Sequence, residues 1–241
     1  MLLVIDAGNS FVKWGYHDGR DWVDQQRAGL GAFCAEPARF LERHAAHVMI
    51  SNVAGKPFEE ALLRAMPNLV ISWVKAQDSA CGIRNQYDFP AQLGSDRWAA
   101  LIAAHAMCSA ACLVVSVGTA MTVDMLGADG TFQGGCIVPG PQGMRAALAK
   151  RTDAVKTSNG KFTHFPTNTD DAVQTGMIYA MLGTIEQAAA AFELKQGCRV
   201  TTLLTGGAAN LIAPYLNRPH QVVDNLVLEG LLLLAQKENL T

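Results

Sequence analysis

The sequence contains no Cys-x-x-Cys pair, although cysteines stand at positions 34, 81, 108, 112, 136 and 198. Zinc ribbons and dithiol redox motifs are thereby excluded, and the scattered thiols read as reduced side chains of a cytoplasmic protein. Metal spacing among histidines is missing too: His44 and His47 lie three apart, with no ligand beside them to complete a site. Charge of one sign is scarce. The formal net charge is -2 and no segment gathers Lys and Arg into a stripe, so no nucleic-acid partner is expected. Long apolar runs are lacking as well. The run at 226–235 carries Glu229 and is too short to span a bilayer. The opening Met1-Leu2-Leu3-Val4-Ile5 meets Asp6 and Gly8 at once, as a buried first strand would and a signal peptide would not. No membrane association is expected. Finally, there is no Walker A pattern, and no Gly-x-Gly-x-x-Gly leads from a strand into a helix. A phosphate grip, if present, is built in another way.

What is present is a duplicated pattern. Half of the 241 residues are apolar, enough for one sizeable core or two smaller ones. Period and punctuation predict strands at 2–5, 11–16 and 22–27, a helix at 33–45, a strand at 48–52, a short helix after Pro57, and a strand at 69–74. The order then repeats. Strands are predicted at 112–117, 121–126 and 132–138, helices at 142–150 and 170–193, and a strand at 200–204. A helix at 208–216, a strand at 221–223 and a helix at 226–236 finish the chain. The expected fold class is α/β, as two duplicated domains spanning 1–110 and 111–241, each a mixed sheet flanked by helices. A helix over about 96–110 joins them. The two openings align: Asp6-Ala7-Gly8-Asn9-Ser10 against Ser116-Val117-Gly118-Thr119-Ala120.

The aligned turns carry the chemistry. In Asp6-x-Gly8-Asn9-Ser10-x-x-Lys13, glycine lets backbone amides approach an anion, Asn9 and Ser10 donate hydrogen bonds, and Lys13 supplies a point charge. Asp6, ending a buried strand, suits Mg²⁺, directly or through water. An ordinary hairpin with a polar turn explains this segment about as well when taken alone. Gly118-Thr119-Ala120-Met121-Thr122 is a second turn of the same kind. Leu204-Thr205-Gly206-Gly207-Ala208 ends a strand and starts a helix with small residues, which permit a flat ring to lie against the backbone.

These three turns, in this order, resemble the actin-like superfamily of ribonuclease H-like ATPase domains, to which sugar kinases and acetate kinase belong. Asn85-Gln86-Tyr87-Asp88-Phe89-Pro90, followed by Leu93-Gly94-Ser95-Asp96-Arg97-Trp98, narrows the match. It resembles the signature of type III pantothenate kinases, as do Gly134-Gly135-Cys136-Ile137-Val138-Pro139-Gly140 and Asn168-Thr169 with Ala172 and Gly176. The resemblance implies ATP-dependent phosphorylation of the primary hydroxyl of pantothenate, the first step toward coenzyme A. It implies Asp96 as general base, and Tyr87, Gly94, Ser95 and Arg97 lining the pantothenate site. ATP would be held by Asp6, Ala7, Gly8, Asn9, Ser10, Phe11, Val12 and Lys13 with Thr119, and its adenosine by Gly206 and Gly207. A homodimer is also implied, with Thr169 reaching the partner subunit's pantothenate.

In one place the sequence departs from the family pattern. Where the family has an Asp before the x-Gly-Thr turn, helping to bind potassium or ammonium, this chain has Ser116. A hydroxyl brings no charge, so the monovalent-cation requirement is expected at reduced affinity. Two other readings stay open: an actin-like kinase with another small-molecule acceptor, and a non-catalytic regulator on the same scaffold. The residue types favour chemistry. A carboxylate at a helix start accepts a hydroxyl proton while helix amides stabilise its ionised form, and arginine suits a substrate carboxylate or carbonyl.

Overall fold

The computed structural model describes residues 1–151 and 160–240, with only the backbone of residue 151. In chain order the elements begin with β1 (Leu2–Ala7), β2 (Phe11–His17), β3 (Trp22–Gly29), α1 (Leu30–Ala35), α2 (Pro37–Phe40), β4 (His47–Asn52) and α3 (Lys56–Ala65). β5 (Ile71–Trp73), β6 (Ser79–Ala80), β7 (Ile83–Asn85) and α4 (Ser95–Met107) follow. Then come β8 (Cys112–Val117), β9 (Ala120–Leu126), β10 (Thr131–Pro139), α5 (Pro141–Arg151) and α6 (Thr169–Gln196). β11 (Thr201–Thr205), α7 (Ala209–Ile212), β12 (His220–Val222) and α8 (Leu226–Lys237) complete the chain.

Two compact units form. The first comprises Met1–Met107, Gly130–Phe132 and Asn225–Thr241; the second comprises Cys108–Asp129 and Gln133–Asp224. In the first unit the strand order is β3-β2-β1-β4-β5, and in the second β10-β9-β8-β11-β12. The duplication read from the sequence is therefore the same topology twice: an antiparallel hairpin pair, then a strand parallel to the first, then another parallel strand. Such mixed sheets must bury both faces, and each unit has its own core. Leu3, Ile5, Val12, Trp14, Val48 and Ile50 face α1–α3 in the first. There Phe33 packs on Trp14, Phe40 and Phe58 with ring centroids 5.5–5.7 Å apart. Leu113, Val115, Val123, Ile178, Met181 and Leu204 form the core of the second unit.

Several boundaries differ from the sequence reading. The helix expected over 33–45 is two short helices, because Pro37 follows Glu36, whose φ -150° and ψ 67° are not helical. The helix expected over 208–216 stops at Ile212 and tightens into a 3-10 turn, Ala213–Tyr215, around Pro214. β6 and β7 were not foreseen. Two and three residues long, they are too short to show a period, and they pair with each other and with Thr131 and Phe132 of β10. The last helix, α8, packs on α4 of the first unit rather than staying with the segment that precedes it. A Cβ on Gly230 would overlap the Ala99 carbonyl, so glycine is what lets the two helices come this close. Among the described residues, no helix is long and apolar enough to cross a membrane.

Candidate active site

Strand periodicity sorts the first sheet into two faces. Leu3, Ile5 and Ala7 of β1 enter the aromatic core, so Leu2, Val4 and Asp6 point to the other face, toward α4 and α8. Registered pairs share a face. Asp6 stands opposite Lys13 of β2 and beside Ser51 of β4, making a row of Lys, Asp and Ser across three strands. The Oδ1 atom of Asp6 is sealed from solvent and has no hydrogen-bond partner. Burial, reinforced by the charge of Asp96, pushes the Asp6 carboxyl up to about 7; Lys13 pulls against this but does not win.

The turn after β1 closes with the Gly8 amide donating to the Phe11 carbonyl at 3.0 Å. Asn9, Ser10 and Phe11 are exposed, whereas Ala7 and Val12 point into the core. Of the residues expected to grip ATP, Ala7 and Val12 therefore offer only backbone to this surface.

α4 begins where the Asp6 row ends. The Trp98 amide donates to the Gly94 carbonyl at 2.9 Å, closing the first turn. Asp96 Oδ1 accepts from the Arg97 amide at 2.8 Å and lies over Gly94, where a Cβ would come within 2.6 Å of it. Glycine thus makes room for the carboxylate. Burial raises the Asp96 carboxyl above its ordinary value, against the Arg97 amide and guanidinium, which lower it. Arg97 is buried. Its Nη1 donates to the Tyr87 hydroxyl at 3.0 Å, and its guanidinium lies 5.7 Å from the Tyr87 ring and 5.9 Å from Phe132. Asn85 shapes the approach by accepting from the Tyr87 amide at 3.1 Å and donating to the Pro90 carbonyl at 3.2 Å. Ser95 Oγ lies 2.9 Å from Ser51 Oγ. In this way Asp6, Tyr87, Gly94, Ser95, Asp96 and Arg97 are gathered within one unit.

The second unit repeats the row with hydroxyls. Ser116 of β8 registers with Thr122 of β9 and Thr205 of β11, as Asp6 does with Lys13 and Ser51. The Gly118 amide donates to Ala120, and the Gly140 amide to Thr119, both at 2.9 Å. Gly206 adopts φ +98° and lies so close to Val117 that any Cβ would overlap its backbone. The Ala208 amide also donates to the Val117 carbonyl at 3.0 Å. The Gly206-Gly207 turn and the Thr119 turn therefore meet at the end of β8. Thr169 is the exposed first residue of α6, behind Asn168, whose side chain accepts from the Asp171 amide at 2.9 Å.

Ser51 and Phe132 were not singled out from the sequence. Each sits at the edge of an apolar strand with no local mark, and only long-range pairing brings them to the site. A separate polar crevice lined by Tyr16, Asp24, Arg39 and Arg43 lies on the other face of the first sheet and holds none of these residues.

Twin sheets of this order, each with a small polar turn after its first strand, define an actin-like fold. Two solved structures agree in fold. A Campylobacter jejuni protein described as a Baf-family transcriptional activator matches at TM-score 0.63 and 19% identity, over 98% of each chain. The activator of 2-hydroxyisocaproyl-CoA dehydratase from Clostridium difficile, with bound ADPNP, matches at TM-score 0.54 and 13% identity over 98% of this chain and 97% of that one. The chain belongs to the type III pantothenate kinase family, whose model matches residues 2–191. A type III pantothenate kinase of Nitrosospira multiformis is 43% identical over 100% of this chain and 93% of its own.

Proposed function

We propose that the chain transfers the γ-phosphoryl group of ATP to the primary hydroxyl of pantothenate, with Asp96 accepting the hydroxyl proton. The supporting observation is the Asp96 carboxylate itself: half-buried, raised in basicity, held over Gly94 at the start of α4, and beside an arginine already oriented by Tyr87. Phosphoryl transfer asks little covalent work of a protein; it needs a placed hydroxyl and relief of developing negative charge. Raised basicity makes Asp96 the better acceptor as the hydroxyl oxygen forms its bond to phosphorus and the bond to the ADP oxygen breaks. Tyr87, Gly94, Ser95 and Arg97 bind pantothenate, Arg97 facing its carboxylate or carbonyl.

The turn from Asp6 to Lys13, Thr119, and Gly206-Gly207 bind ATP. Residues fit for Mg²⁺ are present. The orphaned, solvent-sealed Asp6 oxygen gains a partner if a cation neutralises the carboxylate. Among the described residues no three His, Cys, Asp or Glu cluster as an all-protein metal cage. That pattern suits Mg²⁺, which is commonly held by one carboxylate, water and substrate phosphates. When bound, the ion neutralises phosphate charge. A monovalent cation, potassium or ammonium, binds near Ser116 at reduced affinity, because the row Ser116–Thr122–Thr205 offers oxygen without charge.

The active form is a homodimer, with Thr169 completing the partner's pantothenate site. α6 supports this reading: Ala172, Gly176, Tyr179, Ala180, Gly183 and Leu194 are exposed along it, a smooth face for a second helix. The free thiols fit a cytoplasmic protein. The fold match to a protein described as a transcriptional activator keeps a regulator as a second reading. Mass spectrometry of the product tests the choice. ATP plus pantothenate should give 4'-phosphopantothenate, and an unchanged acceptor with intact ATP binding would favour the regulator.

A further inference from the structure

We infer that Ser51 is a positioning residue for phosphoryl transfer, fixing the Asp96 end of α4 to the sheet that carries Asp6. The inference rests on the reading of Asp96 as the base. Ser51 is fully buried, on β4, a strand whose apolar residues alternate between two packed faces. A lone hydroxyl in such a place must find a partner or cost stability. Its partner, 2.9 Å away, is Ser95, the residue immediately before Asp96 and the first of α4.

Three further contacts make the end of β4 a bracket. The Val53 and Ala54 amides both donate to the Ala7 carbonyl, at 2.9 and 3.1 Å, tying the exit of β4 to the end of β1 next to Asp6. A Cβ on Gly94 would lie 3.8 Å from Val53 Cγ1, so the residue before α4 lies beside the same segment. Ser51 is also the register partner of Asp6. One strand end thus lies by both acidic residues' supports, and Ser51–Ser95 is a polar link, side chain to side chain, between sheet and helix start. Core packing of α4 through Trp98, Leu101 and Ile102 fixes the helix body, but an apolar interface leaves sliding along its axis less restrained than a hydrogen bond does. Misplacing a base by a fraction of an ångström is felt in kcat.

The test uses the full chain and compares Ser51→Ala, Ser95→Ala and the double variant. Ser51→Ala should lower kcat about tenfold, with the KM for ATP within about twofold, since its hydrogen bond acts on the base and not on the phosphate turns. On kcat the double variant should lose no more than the worse single one, because one bond is removed once. Hydrogen exchange should quicken at the first-turn amides of α4 and stay slow through the rest of that helix. Unchanged kcat in Ser51→Ala, additive losses in the double variant, or exchange that quickens throughout the first unit would each overturn the assignment. If the unsubstituted chain itself fails to phosphorylate pantothenate, the reading of the reaction falls. The exchange pattern then decides whether Ser51 anchors the helix start.

Discussion

Asp6 and Lys13 stand directly opposite each other on β1 and β2, yet the lysine does not keep the aspartate in the ordinary carboxylate range. Burial and the nearby Asp96 outweigh it, and the Asp6 carboxyl sits at about 7. An acid whose folded value lies above its unfolded value holds a proton in the fold that the unfolded chain releases. The contribution of Asp6 to stability is then largest below the unfolded value of 3.8 and is lost as pH rises toward 7. The full shift corresponds to roughly 4 kcal/mol at ~1.4 kcal/mol per pH unit. Asp6→Asn should flatten the fall across this window in urea unfolding without ligand, and a variant with the same slope as the parent would contradict the assignment.

Mg·ATP should oppose that loss. If the Asp6 carboxylate faces a bound cation, thermal stabilisation by Mg·ATP at pH 8 exceeds that by ATP with EDTA, and Asp6→Asn removes most of the difference. Equal stabilisation of parent and variant would place the cation elsewhere.

Arg97 and Tyr87 act as a pair. Tyr87→Phe removes one hydrogen bond to a buried guanidinium and should raise the KM for pantothenate by about tenfold, through a loss of ~1.5 kcal/mol. Arg97→Lys should cost more, because an ammonium cannot reproduce the planar contact with both Tyr87 and Phe132. Steady-state kinetics with pantothenate varied measures both. A Tyr87→Phe variant more damaged than Arg97→Lys would reverse the assigned roles.

Gly230→Ala tests the packing of α8 on α4. Its Cβ would overlap the Ala99 backbone, so the helices must separate. We expect a loss of ~1–3 kcal/mol in urea unfolding. Parental stability would mean that the two helices are not held at this distance.

Much of this was legible in the sequence, for physical reasons that differ by element. β8 appears as an apolar run, interrupted by Ser116 and ended by glycine, and its observed span matches the expected one. The duplicated opening Asp6-to-Ser10 and Ser116-to-Ala120 proved to be a duplicated register, with Ser116 in the place of Asp6. Pro37 was visible, yet apolar spacing on either side masked the break it causes. Ser51 was not legible at all: its meaning lies in Ser95, 44 residues away, and a serine at the end of a strand looks like any other. The placement of α8 was hidden for a similar reason, since an apolar helix does not state which core it will join.

Ser116 gives the prediction most peculiar to this chain. Turnover should need potassium or ammonium at higher concentrations than Ser116→Asp does, because the carboxylate restores charge to the hydroxyl row. Titrating each salt at constant ionic strength reads this, and identical half-saturation in both proteins would remove Ser116 from the cation site.

The most direct test of the central claim is ADP release from Mg·ATP on adding pantothenate, for the parent and for Asp96→Asn. The amide keeps the shape of the side chain but cannot take the hydroxyl proton. The account predicts pantothenate-dependent release in the parent and a loss of at least a hundredfold in kcat in the variant, with ATP binding retained. A variant that turns over within a fewfold of the parent would show that Asp96 is not the base.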